Sequence, residues 1–111
     1  MTTENIKGSA VLSIGRIYCD LIFTGVSGLP VLGREIFADA LDIAAGGGAY
    51  IAAAHLVHAG RQVELVARLG TDALSLGVET QLQASGVGLQ FLERAADAGP
   101  QVTVATVLGH E

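Results

Sequence analysis

The chain is poor in cysteine, aromatic residues and positive charge: it has one Cys, no Trp and 5% aromatics among 111 residues. A lone thiol, Cys19, cannot close an internal disulfide, so a disulfide scaffold is excluded and a reducing, cytoplasmic setting is expected. Lys7, Arg16, Arg34, Arg61, Arg68 and Arg94 are scattered along the sequence, and 11 acidic residues outweigh them to a net charge of −5. No basic stripe faces a phosphate backbone or an anionic bilayer, so neither nucleic acid nor membrane is an expected partner. No apolar run is long enough for a signal peptide or a membrane span, and Glu4 interrupts the first residues.

Half of the residues are hydrophobic, and with few aromatics the core must be built from Ala, Val, Leu and Ile. Small and branched side chains of this kind suit helices laid closely on a sheet. The length argues for one domain, at the short end for an enzyme.

Residues 1–9 are polar and expected to be loose. Ala10 to Ile14 is a short apolar run closed by Gly15, as a buried strand would be. Leu21 to Val26 and Glu35 to Ile43 are further strand candidates, separated by the turn-like Ser27-Gly28-Leu29-Pro30. Ala49 to Ala59 reads as a helix stopped by Gly60, with Ala49, Ala52, Ala53 and Leu56 on an inward face. Val63 to Arg68 reads as a strand. Asp72 to Ser85 reads as a second helix, with Asp72 as N-cap and Gly86 as its stop. Leu89 to Glu93 and Val102 to Leu108 are closing strands, with a loop over 95–100. The first strand, the first helix and Val63 to Arg68 form a right-handed βαβ unit, with the intervening strand pair inserted as a flap. Ending at Gly109-His110-Glu111, just past a strand and without a closing helix, the chain is expected to be part of something longer.

The densest signal is Gly46-Gly47-Gly48, which runs without a linker into Ala49-Tyr50-Ile51-Ala52. Glycines permit backbone angles and close approaches that a Cβ would block, and a helix start leaves N–H groups without intrahelical partners. A polar ligand could lie against such a turn. A tight turn that merely lets the helix pack on the sheet fits the glycines equally well.

Four features in order resemble the N-terminal part of ribokinase-like carbohydrate kinases of the PfkB family, over about residues 10 to 108. They are Ser13-Ile14-Gly15 followed by Asp20 at a strand exit, Gly46-Gly47-Gly48-Ala49 before an Ala-rich helix, Gly60 followed by Val63 to Arg68, and Leu69-Gly70-Thr71-Asp72 before the second helix. The resemblance implies an α/β fold with a βαβ sheet, helices packed on it and a small β-flap, or lid, formed by 21–26, 35–43 and 102–108. It also implies transfer of the γ-phosphoryl group of ATP, with Mg²⁺, to a hydroxyl of a sugar or sugar-like substrate, a nucleoside included. Asp20, Gly46, Gly47 and Tyr50 would bind that acceptor. A lid cut from its companion core leaves unpaired strand edges, so association through the lid, as a homodimer, is expected. An ionised carboxylate can accept charge-assisted hydrogen bonds from two neighbouring hydroxyls, which suits Asp20 to the role.

The sequence departs from the family at points that bear on function. The Gly-Ala-Gly-Asp-like motif that supplies the catalytic base has no counterpart here, so no catalytic residue is assigned and the 111-residue chain is expected to be inactive alone. There is no G-x-x-x-x-G-K-[ST] phosphate loop either, so the glycines are not read as a nucleotide site. Tyr50 stands where an Asn or similar amide is usual. Its ring could stack on a substrate, which would move specificity away from ribose, or could simply pack against the flap. Ser75 occupies a position that is often Gly.

Other residues carry weaker signals. His55 and His58 lie three apart without a carboxylate or Cys companion, so a solvated helix end is expected and no metal site is assigned. Cys19 reads as a buried, inert thiol, and Arg16 as a surface residue or a contact for an anionic substrate. Two other readings stand beside the kinase. One is a truncated, non-catalytic module that binds a polyol or dimerises through its lid; the other, a dinucleotide-binding oxidoreductase, is disfavoured because no G-x-G-x-x-G follows the first strand.

Overall fold

The structure, a computed structural model, describes residues 10–109; the segment 1–9, expected to be loose, lies outside the described residues. The elements in chain order are β1 (Val11–Ile14), β2 (Tyr18–Val26), β3 (Ala40–Gly46), α1 (Gly48–His58), β4 (Val63–Leu69), α2 (Ala73–Ala84), β5 (Leu92–Arg94) and β6 (Val102–Leu108). They form two three-stranded sheets, ordered β1-β4-β5 and β3-β2-β6.

The first sheet is parallel throughout, with Val11 opposite Val63, Ser13 opposite Leu65, and Ala67 opposite Leu92. Parallel strands need a crossover, and here α1 supplies it between β1 and β4. Alternation along β4 sends Val63, Leu65 and Leu69 into a cluster with Ala53 of α1, Val78 and Leu82 of α2, Val87 and Leu92. The opposite face of the sheet carries Leu12 and Ile14, 56% and 73% exposed.

The pair inserted between β1 and α1 leaves the first sheet and builds the second. There β2 runs antiparallel to β3 and parallel to β6. Its lower end stays in the core: Ile17 and Cys19 are buried, and Leu21 and Ala45 pack against the same cluster. Burial, with the nearby charge of Asp20 as a second cause, pushes the Cys19 thiol above its usual range, as an inert buried thiol requires.

Several boundaries differ from the sequence reading. β2 begins three residues before Leu21, because its ladder with β3 already pairs Tyr18 with Gly46; Asp20 therefore lies within a strand and not at a strand exit. Residues 35–39 are not strand. The connection from β2 extends over 27–39 with a turn at Gly33 (φ 82°), and β3 starts at Ala40, where Asp39 N–H donates to the Thr24 carbonyl. β5 starts at Leu92, since Leu92 N–H closes a turn on the Leu89 carbonyl. On α1, Ala52 is exposed, and the inward side is formed by Ala49, Ala53, Leu56 and Val57, with Tyr50 beside them.

The second helix is capped as its sequence indicates. Asp72 Oδ2 accepts from Leu74 N–H (3.1 Å) and Ser75 N–H (3.2 Å). Ser75, fully buried, donates its hydroxyl to Asp72 Oδ1 at 2.6 Å. That bond, the largest cause, together with the backbone donors holds the Asp72 carboxyl below its ordinary range. A side chain at the buried Gly70 would run into the Ala98 carbonyl and sit 3.0 Å from Ser75 Oγ, so Gly70 and Ser75 fit together at this helix start. Farther along α2, Glu79 takes a two-pronged bond from Arg94 of β5 (2.8 and 2.7 Å), which fixes the helix to the sheet edge.

Candidate functional site

The three glycines at the end of β3 do different work. Gly46 is the last residue of the strand, Gly47 turns the chain at φ 97°, and Gly48 opens α1. A side chain on Gly47 would be strained at that φ. It would also run into the Arg16 carbonyl oxygen and lie 3.1 Å from Ile17 Cα, because the turn crosses directly over the β1–β2 connection. A side chain on Gly48 would meet nothing. The turn is thus one obligatory residue, with its helix side held from below: Ser13 Oγ of β1 donates to the Ala49 carbonyl at 2.7 Å. Gly15 permits that approach, since a Cβ there would lie 3.0 Å from the Ala49 Cβ.

Asp20, half-buried on β2, is brought to the same place. Its carboxylate fills the space over Gly46: a Cβ on Gly46 would lie 2.8 Å from Asp20 Cγ and closer still to Oδ2. From the other side Thr103 of β6 donates its hydroxyl to Asp20 Oδ1. Alternation puts Asp20, Ala44 and Thr103 on one face of the second sheet, in register with one another. Three of the four sequence candidates, Asp20, Gly46 and Gly47, therefore share one corner, where β2, the end of β3 and the start of α1 meet. The fourth, Tyr50, sits in the first turn of α1, half-buried and packed against the core.

Sequence reasoning missed two residues of this corner. Thr103 reaches Asp20 only because β6 returns beside β2, a parallel pairing of distant segments that no local pattern announces. Gln81 of α2 bonds the backbone of β3 with both ends of its amide, donating to the Ile43 carbonyl (2.7 Å) and accepting from Ala45 N–H (2.8 Å). A polar residue near the end of a helix carries no signal for such a bond.

The remaining candidates contribute less. His55 and His58 are exposed in the last turn of α1, and Arg16 is exposed beyond β1. Among the described residues no three His, Cys, Asp or Glu side chains come together as a metal site would require. No G-x-x-x-x-G-K-[ST] phosphate loop occurs among the described residues. No helix among the described residues is long and apolar enough to cross a membrane.

No family model matches the sequence, and no curated protein matches it. The solved structures are informative. The chain is similar to ribokinase from Arabidopsis thaliana complexed with ribose and ATP, at a TM-score of 0.80 and 23% identity, covering 93% of this chain and 33% of that one. It is similar to a nucleoside kinase of Methanocaldococcus jannaschii, described as an archaeal member of the ribokinase family, at a TM-score of 0.76 and 20% identity over 90% of this chain and 33% of that one. It is also similar to ribokinase from Cryptococcus neoformans var. grubii serotype A in complex with ADP, at 0.72 and 29%, over 86% and 30%. The chain spans about a third of the length of the solved structures it matches.

Proposed function

Because the chain has the ribokinase-like fold, in a form consistent with the N-terminal segment of PfkB-type carbohydrate kinases, we propose that it supplies the acceptor-binding part of a cytoplasmic, ATP-dependent kinase. In this reading the acceptor is a sugar or sugar-like molecule, a nucleoside included, phosphorylated on a hydroxyl. The observation that carries the reading is the corner of Asp20, Gly46 and Gly47. A carboxylate oriented by the Thr103 hydroxyl and lying against a residue without a side chain can accept hydrogen bonds from two neighbouring hydroxyls. Tyr50, in the first turn of α1, would bear on which acceptor is chosen. The second sheet would act as a lid over the acceptor. ATP and Mg²⁺ would be held by parts of the kinase outside these residues, as would the catalytic base.

The other face of the second sheet supports a further part of the reading, association of two copies through their lids. Leu41, Ile43, Val102 and Val104 share that face with Leu21 and Phe23, and the first four are 48%, 40%, 42% and 62% exposed. With the 27–39 loop, Phe23, Leu41 and Val104 border an open apolar groove of about 530 Å³. Contiguous apolar surface of this kind marks an interaction site.

The test is a panel of sugars and nucleosides offered with ATP to the protein extended to a complete kinase, with ADP release measured for wild type and Asp20→Asn. Loss of the charge-assisted bonds is expected to lower acceptor kcat/KM by about one to two decades while ATP use is spared. Unchanged acceptor kinetics in a folded Asp20→Asn protein would remove Asp20 from the site.

A further inference from the structure

Gln81 stands where a neighbouring strand would be. β3 is an edge strand of its sheet, and its inner edge is occupied by β2. On the outer edge, the Gln81 amide donates to the carbonyl of Ile43 and accepts from the N–H of Ala45. These groups flank Ala44 on either side. A residue of a parallel strand would present the same donor and acceptor to the same two groups, so one side chain of α2 reproduces one residue of strand pairing. Ala44 is in turn the register partner of Asp20, and Gly46 follows two residues later.

We propose that Gln81 is a positioning residue for the acceptor site, its amide fixing β3 so that Gly46, Gly47 and the Asp20 carboxylate keep their mutual geometry. The proposal rests on the acceptor-site reading of that corner for its functional meaning, but not for its geometry. Without the amide, β3 keeps its strand partner, its two connections and the packing of Ala45 against the core, and loses the two hydrogen bonds at its outer edge. Its end, which carries the turn, could then shift relative to α1. The donor and acceptor of Gln81 act together, so neither a carboxylate nor a hydrocarbon of similar size can replace it.

The experiment compares wild type, Gln81→Leu and Gln81→Glu by backbone amide spectra and hydrogen exchange, and by calorimetric titration with D-ribose and with adenosine. In Gln81→Leu, exchange at Ala45 is expected to quicken roughly tenfold, the equivalent of one to two ordinary hydrogen bonds. The amide shifts of Gly46, Gly47 and Asp20 should move with it, while those of β4 and β5 stay in place. Gln81→Glu should show the same changes at neutral pH, where its carboxylate faces the Ile43 carbonyl as a second acceptor. It should revert towards wild type as that carboxyl takes up a proton and regains a donor, a rescue that a mere loss of packing would not show. A probe that binds wild type should bind both variants at least about fivefold more weakly at neutral pH. Unmoved shifts at Gly46, Gly47 and Asp20 would overturn the proposal, as would a uniform loss of protection across the chain without reversal in Gln81→Glu. If wild type binds neither probe while the shifts behave as described, the positioning stands and it is the reading of D-ribose or adenosine as acceptor that fails.

Discussion

The carboxylate of Asp20 occupies the space that a side chain on Gly46 would need. The two residues lie 26 positions apart and meet because β2 and β3 pair as an antiparallel ladder that ends at Tyr18 and Gly46. The acid and the first glycine are therefore one unit. Thr103 orients the unit from β6, and Gln81 secures the strand that carries it.

The three glycines should respond differently to alanine. Gly47→Ala must adopt a positive φ and meet the Arg16 carbonyl, so it is expected to lose stability by about 1–3 kcal/mol or more. Gly46→Ala should displace the Asp20 carboxylate and shift its resonances. Gly48→Ala, in open space at a helix start, should be neutral or stabilise by up to about 1 kcal/mol. Urea denaturation of the three variants checks the order.

Tyr50 serves packing in this structure, and its proposed part in specificity is separable from that. Tyr50→Phe should keep stability close to wild type, because the half-buried ring remains against the core. Tyr50→Asn should cost about 1–3 kcal/mol. If the phenol reaches the acceptor in the complete kinase, Tyr50→Asn will raise the use of simple pentoses relative to the native acceptor. Identical acceptor profiles for wild type, Tyr50→Phe and Tyr50→Asn would leave Tyr50 as a packing residue.

Acid should loosen α2 through two of its anchors. Asp72 is held below its ordinary range chiefly by the Ser75 hydroxyl, and Glu79 chiefly by its bonds to Arg94. A depressed folded-state pKa contributes stability that is fully present above the unfolded value, about 4 for these carboxyls, and is lost as pH falls through the folded value. Stability should thus be flat near neutrality in these two groups and decline below about pH 4. Asp72→Asn and Glu79→Gln should each flatten that decline, as thermal melts across pH would record.

The apolar face of the second sheet should drive self-association. Val104 is 62% exposed in the centre of β6, beside Leu21 in the ladder. Light scattering at high micromolar concentration is expected to show dimers or larger species, and Val104→Lys should shift them to monomer. A wild-type monomer under those conditions would remove the lid-to-lid interface.

Periodicity and punctuation carry much of the fold. The helices are legible because Gly60 and Gly86 stop them, both at positive φ, and because Asp72 caps the second. β4 is legible from its apolar run, and β6 has the ends that its run of Val, Thr and Ala predicts. The differing boundaries of β2 and β3 share a cause, that a ladder ends where its distant partner ends, whereas β5 starts late because a local turn closes Leu92 on Leu89. Tyr18 to Asp20 become strand because Ala44 to Gly46 lie opposite, and 35–39 do not because the β2–β3 ladder ends at the Thr24–Ala40 pair.

The site divides in the same way. The resemblance to ribokinase-like kinases marked Asp20, whose carboxylate is chemically suited to hydroxyls, and the absence of side chains marked Gly46, Gly47 and Gly48 as a place where the backbone needs room, since those properties are carried by the residues themselves. Only the tertiary structure decided that the acid and the glycine meet, that Gly47 rather than Gly48 is the obligatory turn, and that Thr103 and Gln81 hold them, because each contact joins segments between 26 and 83 residues apart through strand pairing or helix packing.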